Sequence, residues 1–309
     1  MSASEQESAE FAAAFRGFLE WVHVAGQGGA TNEVVALVRD HLGPERLAES
    51  VVTRELAAFE QVNLQVALNA WAGQPGRTVT VRGVSVPPNY GGLGMNQLIS
   101  GEGLPPVRLS APELVDLPSG PGGQTLACVV TALLLVDDDA GRYAVMVRAP
   151  EQHMSPAITL EVAGLPVAQA QALHAELGRL RSELNVYRGQ VIEVLAGQQG
   201  GMTVSFADLP RTGRDDVVLP EAVLRRIERH TVGIATHSAQ LLEAGQHLKR
   251  GVLLFGPPGT GKTHTTRYVV GRLQECDPPR TVVLLSGRAL HLIGVLTDLA
   301  RELAPTALV

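Results

Sequence analysis

Lysine is nearly missing from this chain: Lys249 and Lys262 are the two lysines among 309 residues. The other 23 of the 25 basic residues are arginines, no stretch is strongly basic, and the formal net charge is −6. Proteins that bind nucleic acid rely on clustered positive charge. The charge pattern therefore argues against nucleic acid as the main partner.

Cysteine and long apolar runs are also scarce. The two cysteines, Cys128 and Cys276, lie far apart in sequence, which gives no support to a disulfide and fits a reducing compartment. No uncharged apolar run reaches about eighteen residues, the length that predicts a transmembrane helix. The first ten residues are polar and acidic, unlike a secretory signal. We expect a cytoplasmic protein without a membrane partner.

The rare Lys262 closes a phosphate-binding pattern. The apolar run Gly251–Phe255 predicts a buried strand, and Thr263–Leu273 predicts a helix with Val269, Val270 and Leu273 on its apolar face. Strand, glycine-rich turn and helix are the context in which G-x-x-x-x-G-K-[ST] binds phosphates. The residues that match the pattern are Gly256, Pro257, Pro258, Gly259, Thr260, Gly261, Lys262 and Thr263.

These residue types suit a nucleoside triphosphate. Glycines at 256, 259 and 261 let the backbone approach the phosphates, and the amides from about 259 to 263 are expected to surround the β-phosphate at the positive end of the helix. Lys262 would neutralise charge on the β and γ oxygens, and the Thr263 hydroxyl would bind Mg²⁺. We count the next residue, His264, among the nucleotide contacts. A glycine- and proline-rich loop without a ligand is the alternative.

Together with the preceding residues 249–255, this motif closely resembles the AAA branch of the AAA+ ATPases, in which the stretch is roughly KGVLLYGPPGTGKT. The resemblance covers about residues Leu219–Val309. It implies an α/β P-loop module that binds ATP and Mg²⁺. Pro220 and the helix predicted from Glu221 to about Thr231 resemble the family's lead-in helix near the adenine. Val232, Gly233 and Ile234 would then form the backbone segment that contacts the base.

The residues after the loop continue the resemblance. Thr281–Ser286 predicts a second parallel strand, Arg288–Leu303 a helix, and Thr306–Val309 the start of a third strand. In the family, the third strand ends in the Walker B acids, which hold the Mg²⁺ shell and polarise the attacking water. Those acids, the sensor residues and the arginine finger would lie beyond Val309. We therefore expect a truncated AAA+ domain, a sheet with a gap beside the phosphate-loop strand, and no ATP hydrolysis by these residues alone.

The remainder of the chain predicts further units. Asp137, Asp138 and Asp139 join two apolar strands, Leu126–Val136 and Arg142–Arg148, and predict an acidic hairpin turn; EF-hand spacing is absent, which disfavours a Ca²⁺ site. Trp21 and Trp71 favour core packing over a partner-binding face. The predicted layout is a helical region over 1–72, a Gly/Pro-rich linker over 73–111, a small α+β domain over 112–210, and the AAA+ part over 216–309.

Two main functions stay open. In the first, the protein forms a homo-oligomeric ring, a hexamer by the resemblance, and hydrolyses ATP to remodel a protein client or adaptor held by the N-terminal region. In the second, nucleotide occupancy orders a scaffold with little hydrolysis. A P-loop kinase or a clamp-loading factor is a third, weaker possibility; the letters GPPGTGKT and the lead-in helix favour the AAA branch over kinases. AAA unfoldases place an aromatic-hydrophobic-glycine triplet after strand 2; Leu292-Ile293-Gly294 has no aromatic, so client threading and helix packing are both open.

Overall fold

Two β-sheets organise the chain in the computed structural model, which describes residues 32–86, 93–101, 104, 107–150, 157–196 and 202–309. Within these ranges, the first sheet has seven antiparallel strands and the second has four strands. None of the helices described there is long and apolar enough to cross a membrane.

The long strand β5 is central in the first sheet. Leu133 and Leu135 pack on one face of the sheet, and Leu134 and Val136 pack on the other. Both faces must therefore be covered. The order is β1-β7-β6-β5-β2-β3, with β4 also paired to β5. The strands are β1 (Val52–Ala57), β2 (Thr78–Ser85), β3 (Arg108–Ser110), β4 (Glu113–Pro118), β5 (Thr125–Asp138), β6 (Gly141–Arg148) and β7 (Ala157–Ala163).

Two pairs of helices cover this sheet and make three layers. On α1, Val34, Val38 and Leu42 recur every four residues, so they form one buried stripe against the sheet. On the opposite face, Trp71 is fully buried in the core, as the sequence predicts. The pair on the first face is α1 (Glu33–Arg46) and α3 (Met95–Ser100); the pair on the second is α2 (Gln61–Ala72) and α4 (Val167–Glu183).

The second sheet contains the strands that follow the phosphate loop. Its order is β11-β10-β8-β9, in which β10 is parallel to both of its neighbours and β9 is antiparallel to β8. The strands are β8 (Val191–Ala196), β9 (Met202–Phe206), β10 (Thr281–Leu285) and β11 (Thr306–Leu308). The helices of this part are α5 (Glu221–His230), α6 (Val232–Thr236), α7 (Ser238–Glu243), α8 (Lys262–Gln274) and α9 (Ile293–Glu302).

Successive residues of β10 have their side chains on opposite faces of this sheet. Val282 belongs to a buried core that includes residues of α5 and α8, and Val283 belongs to a core that includes residues of α9 and Val62 of α2. The first sheet's helix layer therefore shares a core with the second sheet. The mixed helices and sheet of this part are consistent with an α/β nucleotide-binding module.

The predicted strand Gly251–Phe255 is wrong. The segment has no strand conformation, and the side chains of Leu253 and Phe255 are 90% and 96% exposed. Within the described ranges, no strand runs beside it, so an extended conformation would leave its amides and carbonyls unpaired. The second sheet thus runs from β11 to β9 without the expected gap, and the segment lies outside it.

The structure also corrects three predictions nearer the N-terminus. The helical region predicted over 1–72 is interrupted by β1, where Val52 and Thr53 favour a strand. The predicted linker 73–111 contains β2, α3 and β3, and the alternating Thr and Val of β2 pair with β5. β8 and β9, placed in the small domain, pair with β10 across the predicted boundary at 210–216. The first 31 residues of the predicted helical region, with Trp21, and residues 87–92 of the predicted linker lie outside the described residues.

Candidate functional site

Two glycines shape the loop that precedes α8. Gly259 has φ 78°, and Gly261, the residue that caps the helix, has φ 80° and ψ 9°. A side chain with a Cβ is strained in this left-handed conformation. The sequence therefore supplies glycine at the positions where the chain turns into the helix, as a tight phosphate-binding loop requires.

Lys262 folds back over this loop. Its Nζ donates hydrogen bonds to the carbonyl oxygens of Gly256 at 2.8 Å and Pro257 at 2.6 Å. The Thr260 hydroxyl also donates to the Pro257 oxygen, at 2.9 Å. Neutral carbonyls are weaker partners for an ammonium group than ionised oxygens. A phosphate group at this loop would therefore compete well for the Lys262 ammonium.

The backbone supplies further donors at the same place. In this fully described loop, the amides of residues 259–263 donate no hydrogen bond to the protein. They lie at the start of a 13-residue helix, where the helix dipole is positive. Thr263 and His264 are both exposed there. Amides, one ammonium and a hydroxyl form a donor set that fits a polyphosphate with a divalent cation.

A buried face holds α8 in place behind the exposed loop. The Thr265 hydroxyl donates to the Gly261 oxygen at 3.0 Å, and the Tyr268 hydroxyl donates to Glu228 Oε1 of α5 at 2.5 Å. Burial, with Glu228 beside it, raises the pKa of Tyr268. The tyrosine thus stays a neutral hydrogen-bond donor. The residues of α8 buried against the sheet are Thr265, Tyr268, Val269, Val270 and Leu273.

A cleft of about 450 Å³ lies beside α8. Val232 and Gly233 of the predicted base-contacting segment line it, and Ile234 is not part of its wall. That segment forms the short helix α6, so it does not present an extended backbone. Tyr268 lies six residues beyond Lys262, roughly 9 Å along the helix axis. The lining residues are Arg214, Glu228, Arg229, Val232, Gly233, Thr236, His237, Tyr268 and Arg272.

Sequence reasoning missed the polar residues of this cleft. Arg272 and Tyr268 are one turn apart on α8, a spacing that the sequence shows, but Arg214 reaches the cleft from a 3₁₀ turn at Arg214–Asp216. Its guanidinium bridges Glu221 at 2.7 Å and Glu228 at 3.2 Å. Such a bridge depends on how α5 packs, and no local pattern reveals it.

In the triplet Leu292-Ile293-Gly294 that follows β10, one of the two large apolar side chains is packed in the core. Leu292 is buried and joins the core with Leu296. Ile293 is 46% exposed. Residues 287–292 form a 3₁₀ helix that leads into α9, so the predicted helix from Arg288 to Leu303 begins in a tighter winding.

No protein-family model matches the chain. Over 130 residues it is 30% identical to the proteasome-activating nucleotidase of Methanopyrus kandleri. The aligned region covers 40% of this chain and 30% of that protein. Over 74 residues it is 35% identical to the 26S protease regulatory subunit 6A of Caenorhabditis elegans, covering 23% and 17%. Over 73 residues it is 41% identical to the ribosome biogenesis ATPase RIX7 of Saccharomyces cerevisiae, covering 22% and 9%.

The chain therefore spans less than a third of the length of each of these relatives. The three similarities are partial, and together they support the AAA ATPase family for the matched part of the chain. ATPase activity is the function that this family suggests.

Proposed function

We propose that this chain binds ATP with Mg²⁺ at the loop of residues 256–263. The observation that carries the proposal is Lys262, whose ammonium lies over the loop that the left-handed Gly259 and Gly261 turn into α8. The amides of 259–263 and Lys262 hold the phosphates, and the Thr263 hydroxyl supplies an oxygen ligand to Mg²⁺. His264 lies at the same helix end.

The cleft beside α8 is the proposed place of the base. Val232 and Gly233 form one wall and Tyr268 another. Its distance from Lys262 along α8 leaves room for the ribose between base and phosphates. Ile234 would act through the packing of α6, since it does not line the cleft.

The protein that contains this chain would act in the cytoplasm as a ring-forming ATPase that remodels a protein client. Support comes from two relatives, one named for activating the proteasome and one named as a protease regulatory subunit. The first sheet and its helices would hold the client or adaptor. A scaffold that binds ATP with little hydrolysis is the alternative.

A nucleotide series tests the site. In fluorescence competition with Mg²⁺ present, we expect ATP and ADP to bind and AMP to bind at least about tenfold more weakly, because AMP has no β-phosphate for the loop and Lys262 to contact. Equal binding of all three would contradict a site built on the phosphate loop. Sedimentation velocity with and without Mg·ATP tests the ring: a monomer under both conditions favours the scaffold.

A further inference from the structure

Arg280 is a buried cation beside the cleft that the nucleotide proposal does not use. It directly precedes β10, and the residue is 8% exposed. In the part of the chain that the structure describes, no carboxylate forms an ion pair with it, and its Nε is buried without a hydrogen-bond partner. Burial of a charge is costly unless its hydrogen bonds compensate. The contacts that Arg280 does make therefore matter.

Those contacts tie two short helices to the end of α8. The Arg280 guanidinium donates to the carbonyl oxygen of Ala235 in α6 at 2.6 Å and to the Ser238 hydroxyl in α7 at 3.0 Å. Its own backbone amide donates to the Leu273 oxygen of α8 at 3.1 Å. Arg280 thus links the chain that carries Val232 and Gly233 to the helix that carries Lys262.

Apolar packing of the two short helices is limited: Ala235 is partly buried against the core that includes Tyr268. None of the residues of α6 or α7 is fully buried. A hydrophobic anchor is therefore weak there, and a charge-assisted hydrogen bond from a buried guanidinium contributes more than it would at a well-packed position. Ala235, which accepts that bond, lies between Gly233 and Thr236, which both line the cleft.

We propose that Arg280 is a positioning residue that fixes the α6 wall of the base cleft against α8. This inference rests on the proposed nucleotide site and deepens it. Arg280 is not among the residues that line the cleft and acts through Ala235 and Ser238. The loop and Lys262 are held separately, by α8. Affinity for the base part of ATP therefore depends on Arg280, and affinity for the phosphates does not.

Two ligands separate these contributions in calorimetry on the 309-residue chain. For Arg280→Met we expect Mg·ATP to bind about tenfold more weakly, because the lost bonds are charge-assisted, while inorganic tripolyphosphate with Mg²⁺ binds within about twofold of the unsubstituted chain. Arg280→Lys keeps one charged donor and should recover part of the ATP affinity. Arg301→Met, on the exposed side of α9, is the matched control and should change neither affinity.

Equal weakening of both ligands, or unchanged ATP affinity, would overturn the positioning role. If circular dichroism shows that Arg280→Met does not fold, Ser238→Ala decides, since it removes one acceptor and leaves Ala235. It should weaken ATP about threefold and leave tripolyphosphate unchanged; unchanged ATP affinity would then refute the proposal. An unsubstituted chain that binds neither ligand would defeat the nucleotide site itself, which is a different result.

Discussion

Asp138, the last residue of β5, stabilises the hairpin turn that follows at residues 139–140. Asp138 accepts hydrogen bonds from Arg77 Nε at 2.8 Å, the Tyr143 hydroxyl at 2.7 Å and the Ala140 amide at 2.9 Å. Arg77 also stacks on Trp71, 4.3 Å from the ring centroid. The turn therefore closes the β5–β6 hairpin, as the sequence predicts, and fastens it to the end of α2.

Asp138 should make stability depend on pH. Burial acts to raise the pKa of Asp138, but the hydrogen bonds from Arg77, Tyr143 and Ala140 outweigh it and hold the pKa below the usual value. Its stabilising contribution is thus complete above about pH 4, the ordinary value for aspartate, and is lost as pH falls through the lower folded-state pKa. We expect Asp138→Asn to cost about 1–3 kcal/mol at pH 7 and less at pH 3.

The melting temperatures of the Asp138→Asn variant and of the unsubstituted chain, measured between pH 7 and pH 3, test this prediction. Asp137→Asn, at an exposed position paired at 3.5 Å with Arg142, is the matched control and should change little. A difference between Asp138→Asn and the unsubstituted chain that grows as pH falls would have the wrong sign.

At the residue scale, the sequence predicts features formed by residues that are close along the chain and misses contacts between residues that are far apart along it. The turn predicted at Asp137–Asp139 and the loop at Gly256–Thr263 are local patterns. The turn lies at residues 139–140, one residue pair further along than predicted, and the loop directly precedes α8. Arg77 lies 61 residues before Asp138, and Arg280 lies 45 residues after Ala235. Such partners depend on how the elements pack, so no local pattern identified them.

At the scale of elements, α9 shows the limit of periodicity. The helix predicted over Arg288–Leu303 places five apolar residues on one side: Leu292, Val295, Leu296, Leu299 and Leu303. In the structure, Leu296 and Leu299 are buried and Val295 is 48% exposed. The period thus predicts the stripe but not its edge, because the position of the neighbouring core decides which side chains are covered.

The difference in exposure between Leu296 and Val295 allows two alanine substitutions on the same helix to be compared. Leu296→Ala removes a fully buried side chain and should cost about 2–5 kcal/mol, because it leaves a cavity in the core that includes Val283 and Leu299. Val295→Ala, one residue earlier, should stay within about 0.5 kcal/mol. Thermal or urea unfolding of the two variants compares them. Equal losses would mean that α9 does not pack as described.

The same scale explains why one strand is not predicted and another is predicted wrongly. Val51, Val52 and Thr53 favour β1 locally, yet the long helical pattern around them hid the strand. Gly251–Phe255 has a buried strand's composition, but a strand forms only where another strand supplies its hydrogen bonds. By contrast, α8, β10 and β11 have both the local pattern and the neighbours, and their predictions are confirmed.

At the scale of the whole molecule, a polar network joins the two sheets. The Asn63 side-chain oxygen accepts from the Val186 amide at 3.0 Å, and the Tyr187 hydroxyl donates to the Phe59 oxygen at 2.9 Å. Arg181 of α4 lies 3.5 Å from buried Glu60 and 3.7 Å from Glu302 of α9. The helix layer of the first sheet is thus fastened to the helix that follows β10.

Glu60 should make this junction sensitive to pH in the opposite direction from Asp138. Burial raises the pKa of Glu60, and Arg181 opposes that effect without cancelling it. The folded state therefore favours the protonated form: this contribution is complete below about pH 4.3, the ordinary glutamate value, and is lost as pH rises through the folded-state pKa. We expect Glu60→Gln to melt above the unsubstituted chain at pH 8 and to converge with it near pH 4.

Melting curves at several pH values measure this, with Glu183→Gln, an exposed position on α4, as the control. A Glu60→Gln protein that melts below the unsubstituted chain at pH 8 would show that the pair with Arg181 outweighs the cost of burial.

Calorimetric titration of Mg·ATP into Lys262→Ala and Lys249→Ala tests the nucleotide site most directly, because these positions are the chain's two lysines. Lys249 is exposed outside the loop, and its substitution should leave ATP affinity unchanged. Lys262→Ala should weaken ATP by at least about tenfold, since it removes the ammonium that the phosphates would contact. Equal ATP affinity in both variants, or no ATP binding by the unsubstituted chain, would contradict the site.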